Sequence, residues 1–441
     1  MIKKATFVFL TGFTLSQPAF ATNGYQLTGI GAYQKSLGGA VTAKPGSAMT
    51  AISNPAGIAR IGKRADFSLE MFMPERFVDF TAPGLGGEKN DSAAEQYGVP
   101  ALGWTAPIED GSDIYFGGGI YGTSGLGTDY PLTQFSPEQV GTAPGLFFEG
   151  YSAIQFWQMA PTIAWNENKD LSFGVSLNID YQSVSFKQAF HMDGDGSGTA
   201  DGVADNGTLV NFDLSRTAQA FGFGLSLGVI YDVTDELTLG ASYKSKQDFS
   251  DLEFQLAHGD IADISGQNQL PITGCAGGVC PAGKYTLELD FPAMYSVGAA
   301  YKLNKMVHLS FDVKRIEWSK TLKRLDINGP NGELISLNAN WDDQTVLALG
   351  VEFTLNPKFK LRFGYNQADA PFDATSTDTN YILPAVTETH FAFGGDYRLG
   401  KYWELGFHGS KAADETLTSP NTGAKIGLGI TTLGINLGYL F

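Results

Sequence analysis

Along much of the chain, apolar and polar residues alternate one for one. Leu171, Phe173, Val175, Leu177, Ile179 and Tyr181 interleave with Ser172, Gly174, Ser176, Asn178, Asp180 and Gln182. Phe221, Phe223, Leu225, Leu227, Val229 and Tyr231 interleave with Gly222, Gly224, Ser226, Gly228, Ile230 and Asp232, and the pattern recurs in Leu347 to Leu355 and Phe359 to Tyr365. A period of two puts the two sets on opposite faces of a β-strand. The pattern predicts strands near residues 65–73, 97–105, 113–121, 152–165, 171–184, 219–232, 236–247, 289–301, 307–318, 345–355, 359–366, 387–398, 402–410 and 429–441.

The predicted strands number fourteen, and their connections alternate in length. Residues 106–112, 166–170, 233–235, 302–306, 356–358 and 399–401 are short; residues 74–96, 122–151, 185–218, 248–288, 319–344, 367–386 and 411–428 are long. A soluble sandwich also alternates, but an even strand count with strictly alternating short and long connections is the pattern of an outer-membrane barrel. A closed barrel pairs every backbone group that lipid would leave unsatisfied. Leu433, Ile435, Leu437, Tyr439 and Phe441 share a face of the last strand, an ending that resembles the signal read by the barrel assembly machinery. Tyr97, Trp104, Tyr121, Tyr151, Trp165, Trp318, Tyr402 and Trp403 fall at strand ends, where aromatic girdles form.

The start of the chain breaks the pattern. Met-Ile-Lys-Lys, an apolar run from Ala5 to Leu15 and Ala19-Phe20-Ala21 predict a Sec signal peptide over residues 1–21. Residues 22–64 do not alternate and are rich in glycine and alanine, with too few large apolar residues for a core of their own. A plug inside the lumen and a disordered periplasmic tail are the two readings; a barrel this wide favours the plug. The expected organisation is a signal peptide over 1–21, a hatch over 22–64 and a barrel over 65–441.

Charge narrows the partners. With 29 basic and 46 acidic side chains the net charge is −17, which excludes nucleic acid as a partner. Cys275 and Cys280 are the only cysteines; in an exported loop two this close are expected to pair.

Asn23-Gly24-Tyr25-Gln26, Ser36-Leu37-Gly38-Gly39-Ala40 and Ser53-Asn54-Pro55-Ala56-Gly57 resemble the N-terminal hatch of the FadL/TodX outer-membrane transporters of hydrophobic compounds. Ser242-Tyr243-Lys244-Ser245, residues 313–319, Trp341-Asp342-Asp343 and residues 361–365 extend the likeness through the mature chain. The resemblance implies an all-β fold, a 14-stranded antiparallel transmembrane barrel with a luminal hatch. It also implies capture of an apolar compound by extracellular loops and lateral release through a kinked third strand. Gly117, Gly118 and Gly119 lie in that strand and permit a kink, or close packing of the hatch. By the family's pattern Asn54, Pro55 and Ala56 face the opening. Phe186, Phe190, Phe212, Phe249 and Phe254 in the third and fourth long loops would line a capture groove, or extend strands above the membrane.

The remaining motifs carry less. Gly117-x-Gly119-x-x-Gly122 lacks the helix of a dinucleotide site. Asp193, Asp195, Ser197, Gly198 and Asp201 resemble a calcium loop, but Ala204 stands where the bidentate Glu belongs, which favours a solvated loop. His308 and Ser310 share a strand face, as in the outer-membrane phospholipase, without the rest of its signature. Lys314, Lys360 and Arg362 are inward cations that a fatty-acid carboxylate would need. The expectation is a non-enzymatic, cofactor-free monomer in a Gram-negative outer membrane. It would take up long-chain fatty acids by passive diffusion, contacting lipid and lipopolysaccharide. An aromatic-hydrocarbon carrier and a general diffusion porin are the alternatives.

Overall fold

A computed structural model describes residues 23–137, 145–193, 208–266 and 269–441. Fourteen strands form its ring: β1 Arg64–Asp79, β2 Tyr97–Pro107, β3 Ile114–Ser136, β4 in two pieces (Gly145–Met159 and Thr162–Asn166), β5 Leu171–Asp193, β6 Thr208–Asp232, β7 Leu237–Lys244, β8 Met294–Lys302, β9 Val307–Ile316, β10 Gln344–Asn356, β11 Phe359–Gln367, β12 Thr389–Leu399, β13 Trp403–Thr418 and β14 Lys425–Leu440. Each pairs antiparallel with the next. The ring closes between β1 and β14, in register from Arg64↔Leu440 to Asp79↔Lys425. β4 is split because Pro161 has no N–H to give to the ladder.

Alternation sets which face meets lipid. On β1, Phe67, Leu69 and Met71 are 48%, 44% and 49% exposed, whereas Asp66, Ser68 and Glu70 between them are at most 4% exposed. The polar set is buried inside the ring against the N-terminal residues. Trp104, Tyr402 and Trp403 point outward, as girdle aromatics must. Tyr121 and Trp318 do not: both are fully buried, Tyr121 beside Ile30 and Met49, Trp318 in an aromatic cluster with Tyr25, Phe291 and Trp341.

Several strands outrun the membrane. β5 and β6 have 23 and 25 residues, against the ~10 a tilted transmembrane strand needs. Beyond them the loops build a five-stranded sheet in the order Leu252–Leu256, Gly283–Leu287, Leu325–Asn328, Leu334–Leu337, Ile272–Thr273, beside a Cys275–Cys280 disulfide. The five aromatics expected either to line a loop groove or to extend strands fall within this architecture. Phe186, Phe190 and Phe212 lie on the extended strands, and Phe249 and Phe254 on short strands; all five pack into one apolar core, Phe186 and Phe254 almost wholly buried. They stabilise the outer part of the barrel by burial. The calcium-like stretch from Asp195 to Asp205 falls outside the described residues, as does the Asp193 side chain.

Candidate functional site

The N-terminal residues reach strands all round the ring from within. They form helix α1 Gly31–Ser36, helix α2 Thr50–Ser53 and a 3-10 turn, Pro55–Ala59. Asn54 starts that turn: its Oδ1 accepts from the Ala56 N–H at 3.2 Å, and proline follows at the position where a missing N–H costs nothing. Asn54 Nδ2 donates to the carbonyls of Thr42 at 2.7 Å and Val229 at 3.1 Å. Pro55 and Ala56 press so closely on Gly174 of β5 that any side chain there would collide with their backbone.

Charged and polar wall groups hold residues 31–60. Lys35 pairs with Glu70 at 3.1 Å, and His408 contacts the same carboxylate at 3.0 Å. Lys44 pairs with Glu352 at 3.0 Å, which also takes Arg362 at 2.6 Å. Asp312 accepts from the N–H groups of Val41 and Thr42 and from the Thr42 hydroxyl, at 2.7–2.9 Å. Asp66 accepts from Ala48 N–H at 2.7 Å, and Asn366 donates to Gly38 O at 2.9 Å.

The wall itself has a window. β2 and β3 pair from Pro107↔Tyr115 up to Ala101↔Tyr121 and then separate. β2 continues on β1 to Tyr97↔Phe72, while β3 continues on β4, with a register shift between Gly122 and Ser124. Higher up the gap is sealed by the hydrogen bond from Ala93 N–H to Asp129 O, 2.8 Å. Tyr97, Gly98, Val99 and Pro100 frame one side and residues 122–127 the other. Pro100 has no N–H to offer across the gap.

Residues 25–27 lie against the free edge. Leu27 N–H donates to Thr123 O at 3.1 Å, Gly125 N–H to Tyr25 O at 3.2 Å, and Gln26 faces Ser124 as an antiparallel bridge. Tyr25 anchors the piece through its ring, 4.8 Å from Trp318, 5.8 Å from Phe291 and 6.0 Å from Trp341. Three cavities meet here. The largest, about 170 Å³, is mainly apolar and sits in the window among Leu27, Tyr97, Val99, Leu126, Phe156 and Trp157. A second, about 40 Å³, lies in the lumen beside Tyr25, Lys35, His390 and Ile430. A third, about 60 Å³, is mixed, lined by Ser226, Ser242, Lys244 and Lys314 together with Ile52 and Met294. Leu27 touches all three, so residues 23–30 partition them.

The expected site residues fall close to this window without forming it. Gly117, Gly118 and Gly119 are still paired to β2, and Gly118, with φ +133°, lies where β4 breaks at Ala160–Pro161. The strand leaves its neighbour three residues later, at Gly122. Asn54, Pro55 and Ala56 pack against Gly174 of β5 and Gly228 and Val229 of β6. Of the inward cations, Arg362 is engaged by Glu352 and Asp396, and Lys360 lies 3.6 Å from Glu352. Lys314 donates to Gly39 O at 2.7 Å. Ser310 Oγ reaches Gly350 O at 3.5 Å, and no hydrogen bond joins it to His308 among the described residues. Sequence reasoning missed Leu27 and Arg76, and placed Tyr25 only in the hatch motif and Tyr97 only in a girdle; Gly122 beside Pro100 was the available signal.

This arrangement has counterparts. A family model for outer membrane protein transport proteins (OMPP1/FadL/TodX) matches residues 7–430. The 47 kDa outer membrane protein of Pasteurella multocida (strain Pm70) is 24% identical over 224 residues, 50% of this chain and 51% of that protein. The chain thus spans about half the length of that relative. The long-chain fatty acid transport protein of Escherichia coli O6:H1 is 24% identical over 287 residues, 63% of this chain and 61% of its own. Among solved structures, the P. putida toluene transporter TodX superposes with a TM-score of 0.70 at 20% identity, covering 94% of this chain and 99% of TodX. At that identity the likeness is one of fold.

Proposed function

The chain belongs to the OMPP1/FadL/TodX family of outer membrane transport proteins, and from that premise we propose that it carries long-chain fatty acids passively across the outer membrane, releasing them sideways through the window between β2 and β3. The observation that carries this reading is the window itself, backed by an apolar cavity and closed from inside by residues 23–30. A diffusion porin needs an open lumen, and the mostly buried residues 31–60, paired to inward wall groups, speak against that reading.

The release step follows from what holds residues 23–30. Two backbone hydrogen bonds tie them to β3, each worth ~1 kcal/mol net. The stronger hold is Tyr25 in the cluster of Phe291, Trp318 and Trp341, and that hold is apolar. An alkyl chain entering the lumen competes for the same surface, gaining ~0.8 kcal/mol for each methylene buried. Displacing Tyr25 frees Leu27 from Thr123 and joins the cavities Leu27 divides. The compound then leaves toward lipid, downhill, with no nucleotide required.

The test is uptake of radiolabelled oleate and radiolabelled toluene by cells lacking their own hydrophobic-compound transporter, with and without this chain. Oleate uptake that depends on the chain supports the reading. Toluene uptake alone keeps the window and replaces the substrate with an aromatic hydrocarbon; uptake of neither overturns the proposal.

A further inference from the structure

Most buried luminal cations in this protein have a carboxylate. Lys35, Lys44, Arg64 and Arg362 face one at 3.1, 3.0, 2.7 and 2.6 Å. Lys244 has the Asp180 carboxylate as its charged neighbour and donates to Gln158 Oε1 at 2.6 Å, and Lys314 has Asp312. Arg76 of β1 differs. It is 5% exposed, and among the described residues it joins no ion pair; its Nη1 donates to Ala94 O at 3.1 Å, and it hydrogen-bonds the Tyr97 side chain, whose ring centroid lies 5.8 Å from its Cζ. A guanidinium has five N–H donors, so one carbonyl and one tyrosine side chain leave part of its capacity unused. A buried charge in that condition costs several kcal/mol unless something else compensates it.

What it adjoins is suited to compensate it. Arg76 lines both the luminal cavity and the window cavity, and so do Leu27, Phe72 and Leu126; it also lines an outer cavity of about 580 Å³ whose wall carries Glu75, Asp91, Glu95, Asp414 and Glu415, none of them in an ion pair with it. A cation at the junction of two apolar spaces fits a molecule with one anionic end and a long apolar remainder. Neither a neutral aromatic ring nor a polar solute would use both features.

We propose that Arg76 is the carboxylate subsite of the release path. It takes the head group of a long-chain carboxylate while the alkyl chain runs past Leu27 and Leu126 toward Phe156 and Trp157 in the window. The inference rests on the transport reading above and gives that site its charge selectivity. A planar guanidinium receives a carboxylate through two parallel hydrogen bonds, which lysine cannot reproduce. The tail therefore reaches the window first, and the head group leaves Arg76 last.

The test uses the full mature protein purified in detergent at a fixed micelle concentration, with tritiated oleate and tritiated oleyl alcohol as probes. They share a chain and differ in the charged end. Arg76→Gln is expected to weaken oleate binding by about ten-fold or more, the loss of one charge-assisted pair, and to leave oleyl alcohol within about two-fold. Arg76→Lys is expected to fall between. Unchanged oleate binding in Arg76→Gln overturns the subsite, as does an equal loss for the alcohol, which would mark Arg76 as packing only. Wild-type protein that binds both probes equally overturns the subsite and leaves apolar transport standing; wild-type protein that binds neither overturns both.

Discussion

Residues 31–60 and residues 23–30 belong to one continuous segment, yet they meet the barrel wall by different physics. The longer piece is held by buried ion pairs and by carboxylates receiving backbone N–H groups: Lys35–Glu70, Lys44–Glu352, and Asp312 with Val41 and Thr42. The shorter piece brings a two-bond strand contact and one aromatic side chain. Apolar cargo has no means of competing for the first set and is well matched to the second. A filled lumen is therefore compatible with passage, because only the part facing the window has to move.

Breaking the ionic side of this contrast is expected to give the largest effect. Glu352→Ala leaves Lys44 and Arg362 buried without their shared carboxylate, at a cost of about 3–5 kcal/mol. The measurement is the urea midpoint of residues 31–60, read by protease sensitivity, which should fall while the strand signal in circular dichroism stays. The apolar side is sharpened by Tyr25→Ala. Losing that ring from the Trp318 cluster should cost the docked state about 3 kcal/mol. Protease access to residues 23–30 should rise sharply, with residues 31–60 as resistant as in the wild type. If both pieces loosen together in Tyr25→Ala, the two do not act separately.

The smallest expected effect concerns the loop above the lumen. Glu388 accepts from Ala370 N–H at 3.2 Å, and burial, followed by the nearby carboxylates Glu415 and Asp369, pushes its pKa up to about 7. The native loop therefore favours the protonated acid. That contribution is complete below the ordinary carboxylate range and is lost as pH rises through about 7. Hydrogen exchange at Ala368 and Ala370 should quicken between pH 5 and 8 beyond the intrinsic trend, and Glu388→Gln should remove the excess.

The barrel was legible because lipid on one side and a packed lumen on the other impose a strict period of two, and all fourteen predicted strands exist. Their upper ends were not. Above the membrane, β3 to β6 continue through residues that no longer need a greasy outer face, so Phe186, Phe190 and Phe212 read as loop and are strand. The parting of β2 from β3 begins three residues beyond Gly119. Gly117–Gly119 signals that a strand can bend, but the parting of β2 from β3 depends on both, and Pro100 holds half the information. Arg76 was within reach: Asp66, Ser68 and Glu70 share its parity on β1, and ending that strand at residue 73 hid it. The ion pairs that lock residues 31–60 join positions as far apart as Lys44 and Glu352, and no local pattern links them.

The most direct test of the moving strand is a reversible lock. Gln26 and Ser124 stand opposite each other in an antiparallel bridge, close enough for a disulfide when both are cysteine. In the double variant Gln26→Cys/Ser124→Cys, oleate uptake should stop when the pair is oxidised and return on reduction. Wild-type cells, which carry the native Cys275–Cys280 bond, serve as the control for the reductant. Uptake undiminished by a formed crosslink would mean that cargo leaves without residues 23–30 moving from the window, and would contradict the account.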